Sequence, residues 1–193
     1  GCWRHENEWP LARTEWRKLH LYADGALDDA VPAENGKPLS YSYDPEHPVP
    51  TIGGNSCGMM ELPEDTGDLD PMWKRYLHPV TRLRHIVTPG PRHQKEEADV
   101  FGARPPFPLL ADRPDVLVFQ SDPLEGAVEV TGSARVELWI SSSAPDTDFT
   151  AKLVDVYPPN EDYPDGYHMN LVDSILRVRY RHRLEKEALL QPG

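Results

Sequence analysis

The sequence predicts an all-β chain of short strands packed as a sandwich or jelly roll. Three observations carry that expectation. Several runs alternate apolar and polar residues, the period-2 pattern of half-buried strands. The 193 residues include 21 prolines and 13 glycines, breakers that argue against long helices. Turn signals recur between the runs at the close spacing of β-sandwiches.

In chain order, Arg17–Tyr22 reads as the first strand, with Leu19 and Leu21 facing in and Lys18 and His20 facing out. Ala23-Asp-Gly-Ala-Leu27 is a turn. Leu39–Tyr43 alternates again. From Asp44 to Gly54 the chain is extended and proline-stiffened, and cannot donate many ladder hydrogen bonds. The pair Gly53-Gly54 permits positive φ or a close backbone approach. Asn55–Asp112 reads as one long irregular stretch, and a loop of that length inside a compact domain is functional or disordered. Within it, Asp70–Arg84 suits a short helix limited by Pro71 and Pro79.

Strands then follow quickly. They are expected at Val116–Gln120, Ala127–Thr131, Ala134–Ser142, Phe149–Tyr157, His168–Leu171 and Ser174–His182. Turns fall at Asp122-Pro123, Gly132-Ser133, Pro158–Asn160 and Pro164–Gly166. Ser141–Asp148, with three serines, a proline and two aspartates, joins two strands as a hairpin or sandwich corner. In Ile175–Arg181, Leu176, Val178 and Tyr180 fall on one face and Arg177, Arg179 and Arg181 on the other. Three arginines on one face need anions or solvent. Asp146, Asp148 and Asp155 are the nearest carboxylates, so a bidentate pair with Arg177 or Arg179 is expected, against a simply solvated face.

Composition excludes several function classes. The formal charge of −12 disfavours binding to nucleic acid phosphates. No apolar run approaches 18 residues, so no transmembrane helix and no membrane partner are expected. Cys2 and Cys57 allow one disulfide but do not make a disulfide scaffold. No signal peptide is visible, but the chain begins with Gly1 and not methionine, so that absence does not decide the location, which is left unknown with the cytoplasm favoured.

A family resemblance runs through the second half. Arg113-Pro-Asp-Val-Leu-Val-Phe-Gln-Ser-Asp-Pro-Leu124 resembles a block "R-P-D-V-L-V-F-x-T-x-P-L". Val130-Thr-Gly132 resembles "V-T-G", and Leu138–Ser143 resembles "L-W-x-S-S". Asp146–Val156 resembles "D-T-D-F-x-A-K-L-x-D-V", and Asp173–Arg181 resembles "D-G-I-L-R-x-R-Y-R" with Ser174 in place of glycine. Earlier, Trp9-Pro10 resembles "W-P" and Asp44–Gly54 "Y-D-P-x-x-P-V-P-T-x-G-G". Gly90–Gln94 resembles "G-P-x-D-Q", with His93 in place of the acid. These blocks, in this order, are those of the C-terminal β-sandwich of X-Pro dipeptidyl-peptidases, cocaine esterases and α-amino acid ester hydrolases.

The resemblance implies a jelly-roll-like (galactose-binding-like) β-sandwich, incomplete at both ends and interrupted by the insertion 55–112. Residues 1–16 would lead in from a hydrolase domain, and 17–193 would form the partial sandwich. It implies an accessory domain that packs on an α/β-hydrolase catalytic domain and frames its cleft. Trp3, Trp9, Pro10, Pro48, Pro50, Gly53 and Gly54 are the residues expected to face that domain. The parent would cleave a peptide or ester bond through an acyl-serine, with no metal or organic cofactor. This chain would carry no catalytic residue and be inactive alone; a homo-oligomer is left open.

The competing chemistries are weaker. No nucleophile elbow, a G-x-S-x-G on a strand-to-helix turn, is expected, and Ser141–Ser143 read as polar turn residues. His78, His85 and His93 are spaced seven and eight apart, with Cys57 upstream, wider than zinc pairs. Asp146-x-Asp148 lacks the further oxygens of a calcium loop. Trp3, Trp9, Trp16 and Trp73 could stack on sugars, so the alternative reading is a free-standing carbohydrate-binding jelly-roll module.

Overall fold

The computed structural model describes residues 4–33, 36–54 and 90–191. Among them there is no α-helix: four strands and two 3-10 turns make up the regular structure, so the domain is all-β. The proline count works against helices as expected. The residues divide into two compact units, Gly1–Ser42 with Leu117–Leu138, and Tyr43–Val116 with Trp139–Gly193.

In the first unit β1 (His20–Leu21) pairs antiparallel with β2 (Leu27–Asp28). The predicted turn sits between them. Gly25 takes a φ of 90°, and its N–H bonds the Tyr22 carbonyl at 3.0 Å. Asp24 accepts from the Ala26 N–H, an Asx turn that fixes the reversal. The predicted strand Arg17–Tyr22 therefore contracts to two residues. Its faces are also reversed: Leu19 and Leu21 are exposed and His20 is half-buried.

The expected strands at 116–120, 127–131 and 134–142 form no ladder among the described residues; Gln120 makes one parallel bridge to Ala26. Their alternation is real, but Val128, Val130, Val136 and Leu138 all lie exposed. An extended segment becomes a strand only when its N–H and C=O groups find a neighbouring backbone.

The second unit is organised by one long hairpin. β3 (Asp148–Tyr157) and β4 (Tyr167–Arg177) pair antiparallel from Asp148↔Arg177 to Tyr157↔Tyr167. β3 falls where its β-branched and aromatic run predicts it. The two strands expected at 168–171 and 174–182 are instead one, running through Val172-Asp173. The register slips between Leu153 and Val154, so β4 carries an extra residue there. Asp173 is tolerated mid-strand because Lys152 stands directly opposite and pairs with it at 3.2 Å. β4 ends early because Val178–Tyr180 winds into a 3-10 turn. There the Val178 N–H bonds the Thr147 carbonyl and the Arg179 N–H bonds Asp146, both at 2.9 Å. The hairpin's connection contains Pro164-Asp-Gly166, where Gly166 adopts a φ of 78°.

Residues 92–94 run along the free edge of β4: Gln94 N–H to the His168 carbonyl, and Asn170 N–H to the Arg92 carbonyl. Buried apolar side chains are few among the described residues: Leu11 in the first unit, and Ile52, Leu110 and Val178 in the second. The expected helix at 70–84, Trp3, Cys2, Cys57, Trp73, His78 and His85 lie outside the described residues.

Candidate functional site

The arginine-rich end of β4 meets the Ser141–Asp148 corner. Asp148 accepts from both Nε and Nη2 of Arg177, at 2.9 and 3.0 Å, a two-bond fork across the first rung of the hairpin. Asp146 accepts Arg179 Nε at 2.6 Å and the Arg179 backbone N–H at 2.9 Å. Glu187 extends this network, taking Arg179 Nη1 at 3.3 Å and the Tyr180 hydroxyl at 2.9 Å. The guanidinium of Arg177 holds the Asp148 carboxyl below its ordinary value, and Arg177 itself is raised by the same bond. Asp155 does not join them: it stands opposite Met169 and bonds the Tyr157 hydroxyl, which raises that tyrosine's pKa. Arg181 donates to the Val178 and Ala188 carbonyls instead of a carboxylate.

A hollow of about 380 Å³ adjoins this network, lined by Asp148, Ile175, Leu176, Arg177, Tyr180 and Leu184. Its walls are mostly apolar, and its charged groups are already paired with each other. It could seat an apolar side chain, but it offers no activated nucleophile or free base.

A second cluster, not anticipated from the sequence, is buried. Glu96 and Arg113 are both buried, and Arg113 Nη1 donates to Glu96 Oε1 at 2.7 Å. Asp115 accepts Nε and Nη2 of the same arginine, each at 2.8 Å, and the His47 carbonyl accepts Nη2 at 2.9 Å. The second Glu96 oxygen accepts the Arg104 N–H at 3.0 Å. Arg113 thus anchors three segments, those around residues 47, 96 and 115. Its bonds hold the Asp115 carboxyl below the ordinary value. Arg113 and Asp115 are two residues apart in the sequence; Glu96, seventeen residues before Arg113, carried no local signal.

Of the residues expected to face a partner domain, Trp9, Pro10 and Pro48 are exposed, Trp9 by 68%; Pro50 and Gly53 are buried. The Trp9-Pro10 peptide is cis. Gly53 and Gly54 have φ of 68° and 101°. Gly54 exchanges backbone hydrogen bonds with Gly90 at 2.9 and 3.1 Å, and a side chain on it would stand 2.6 Å from both oxygens of Asp173. Both glycines are therefore required by the backbone's path.

His93, the third of the widely spaced histidines, is committed to the fold. Its Nδ1 accepts the His168 N–H at 2.9 Å and its ring stacks on Tyr167, 4.6 Å between centroids. Tyr163 and Tyr157 extend that aromatic cluster at tilted or edge-on angles, so it offers no flat strip for a sugar.

The spacing G-x-S-x-G does occur once, at Gly54-Asn-Ser-Cys-Gly58, and corrects the expectation that it is absent. Its first glycine follows a proline-stiffened segment and sits in an isolated bridge, not at the end of a strand. Ser56 itself lies outside the described residues.

The profile of the X-Pro dipeptidyl-peptidase C-terminal non-catalytic domain matches residues 1–193. The chain is also similar to the cocaine esterase of Rhodococcus sp. (strain MB1 Bresler), 34% identical over 202 residues, covering 99% of this chain and 27% of the esterase. The chain thus spans about a quarter of that relative's length. No solved structure matches.

Proposed function

Since this chain belongs to the family of X-Pro dipeptidyl-peptidase C-terminal non-catalytic domains, we propose that it serves as the accessory β-domain of a larger serine hydrolase. The observation that carries this reading is the end-to-end match to a domain described as non-catalytic, within a relative about four times longer. The parent, by kinship with the esterase, would hydrolyse an ester or peptide bond through an acyl-serine held on an α/β-hydrolase domain. This domain would pack on that catalytic domain, stabilise it and frame its cleft in the manner of a jelly-roll sandwich. The division into a lead-in of residues 1–16 and a sandwich of 17–193 with an insertion at 55–112 belongs to the same proposal.

Two further observations support it. The described polar clusters are ion pairs closed on themselves, with no carboxylate or histidine poised beside a free nucleophile. Large apolar side chains face outward, among them Trp9, Trp16 and Trp139, the last 95% exposed; exposed aromatics of this kind suit a protein interface. Trp9 and Pro10 in the first unit, and separately Pro48 in the second, would make contacts, with Pro50, Gly53 and Gly54 shaping the loop that carries Pro48. Trp3 would extend the contact of the first unit.

The test is labelling by a fluorophosphonate probe, which reports activated serines. The chain alone should stay unlabelled while the intact parent labels. Labelling that disappears in Ser56→Ala would make the G-x-S-x-G spacing a working elbow and overturn the reading. In the intact parent, Trp9→Ala should lower stability or kcat/KM, and a neutral result would remove Trp9 from the interface.

A further inference from the structure

We propose that His93 is a proton-operated latch, holding residues 92–94 against the edge of β4 at neutral pH and releasing them in mild acid. The argument starts from a hydrogen bond with only one permitted protonation state. The His168 N–H points at His93 Nδ1 at 2.9 Å. A backbone N–H can only donate, so Nδ1 must present its lone pair and the ring must be the neutral, Nε2-protonated tautomer. Adding a proton to Nδ1 sets two donors against each other and removes the bond.

The bond sits among the contacts that close this edge. His93 faces Met169 in an antiparallel bridge, the Gln94 N–H reaches the His168 carbonyl at 2.8 Å, and the Asn170 N–H reaches the Arg92 carbonyl at 3.1 Å. The His93 ring also stacks on Tyr167 at 4.6 Å, an interplanar angle of 19°. Releasing the ring therefore loosens the link between segment 92–94 and β4 residues 167–170 as a unit. A carboxylate in this place would accept the same N–H without titrating near neutrality, so the imidazole gives the contact its sensitivity.

The charged surroundings act in the same sense. His168, edge-on at 6.0 Å, and Lys95 disfavour a positive charge on the ring, while the His168 backbone contact and Glu97 favour it, and burial outweighs them. Burial, foremost, lowers the His93 pKa from its ordinary value. With the folded value below the unfolded one, the unfolded chain binds more protons in the interval between them. The latch's contribution is thus full above the ordinary histidine value and is lost as pH falls below it.

Hydrogen–deuterium exchange of the intact protein, read by mass spectrometry as protection factors, tests this. Between ~pH 7.5 and ~pH 5.5, protection over residues 92–94 and 167–170 should fall about tenfold, the scale of one proton linked over one pH unit. In His93→Asn the side-chain oxygen replaces Nδ1 as acceptor and does not titrate, so protection there should stay flat. His168→Gln, which keeps the 168 backbone N–H, should retain the wild-type fall. A flat wild-type profile, an unchanged fall in His93→Asn, or its loss in His168→Gln would each overturn the latch. If His93→Asn fails to fold, His93→Asp supplies the same non-titrating acceptor, and the same outcomes decide.

Discussion

The second unit holds two arginine–carboxylate clusters that look alike on paper and differ in what they do. Around Arg113, the guanidinium and both carboxylates are at most 8% exposed. At the end of β4, Arg177 is 55% exposed and Asp148 34%. The first cluster ties together segments distant in sequence, and its groups have no water to fall back on. The second closes the end of a hairpin already zipped by its ladder, and water competes for each of its charges. Burial, not bond count, separates them: breaking a buried pair strands a charge, whereas breaking an exposed one returns two ions to solvent.

The strongest way to sharpen this contrast is Glu96→Ala. It leaves Arg113 Nη1 and the Arg104 N–H without their acceptors in a site closed to water. The expected loss is about 3 kcal/mol, the scale for breaking a buried ion pair by removing one partner. Chemical denaturation of the intact protein checks it; a loss as small as that of a surface pair would dissolve the distinction.

Asp115→Asn should follow, at about 2 kcal/mol, since the amide can accept one guanidinium N–H but not two charge-assisted bonds. Its pH dependence is a second check. The folded Asp115 pKa lies below the ordinary carboxylate value, first because of its bonds to Arg113. Its contribution is then complete above about pH 4, the unfolded value, and fades as pH falls through the folded one. Wild type and variant should therefore converge in stability only in strong acid. That window is well separated from the histidine range in which the latch acts. Glu129 titrates in the same acid window, drawn down to about 2 by its bonds to Arg4 and Thr131.

What the sequence disclosed follows the same physical division. β3 was legible because its ladder partner lies nearby in sequence and its own residues favour extended backbone. The turn at 23–26 was legible because Asp24 and Gly25 act locally. β4 was expected as two strands, 168–171 and 174–182; Lys152, across the rung from Asp173, lets one strand run through both. The end of β4 was missed for the converse reason: Leu176, Val178 and Tyr180 keep the strand period, but the corner's Thr147 and Asp146 claim the next backbone N–H groups and wind the chain. The strands expected between 116 and 142 had the right pattern but, beyond the single Gln120–Ala26 bridge, no ladder partner among the described residues. The buried Glu96–Arg113 pair was invisible because nothing local marks a glutamate whose partner is supplied by the fold.

The smallest effect belongs to Asp148→Asn. Asparagine keeps one oxygen for Arg177 and loses the charge and half the fork. Arg177 is free to turn to water, and the rung Asp148↔Arg177 is held by backbone bonds that the substitution leaves alone. The melting temperature should therefore stay within experimental scatter of wild type at physiological salt, with whatever difference exists appearing at low ionic strength, where screening is weakest. Asp146→Asn should exceed it, because Asp146 also accepts the Arg179 backbone N–H that turns the chain at the end of β4. If instead Asp148→Asn costs as much as Glu96→Ala, the fork is desolvated in the working protein. The natural cause would be a partner surface laid over the hollow between Asp148, Ile175 and Leu184. Comparing the variant in the isolated chain and in the intact parent would then locate that surface, since only in the parent should the cost rise.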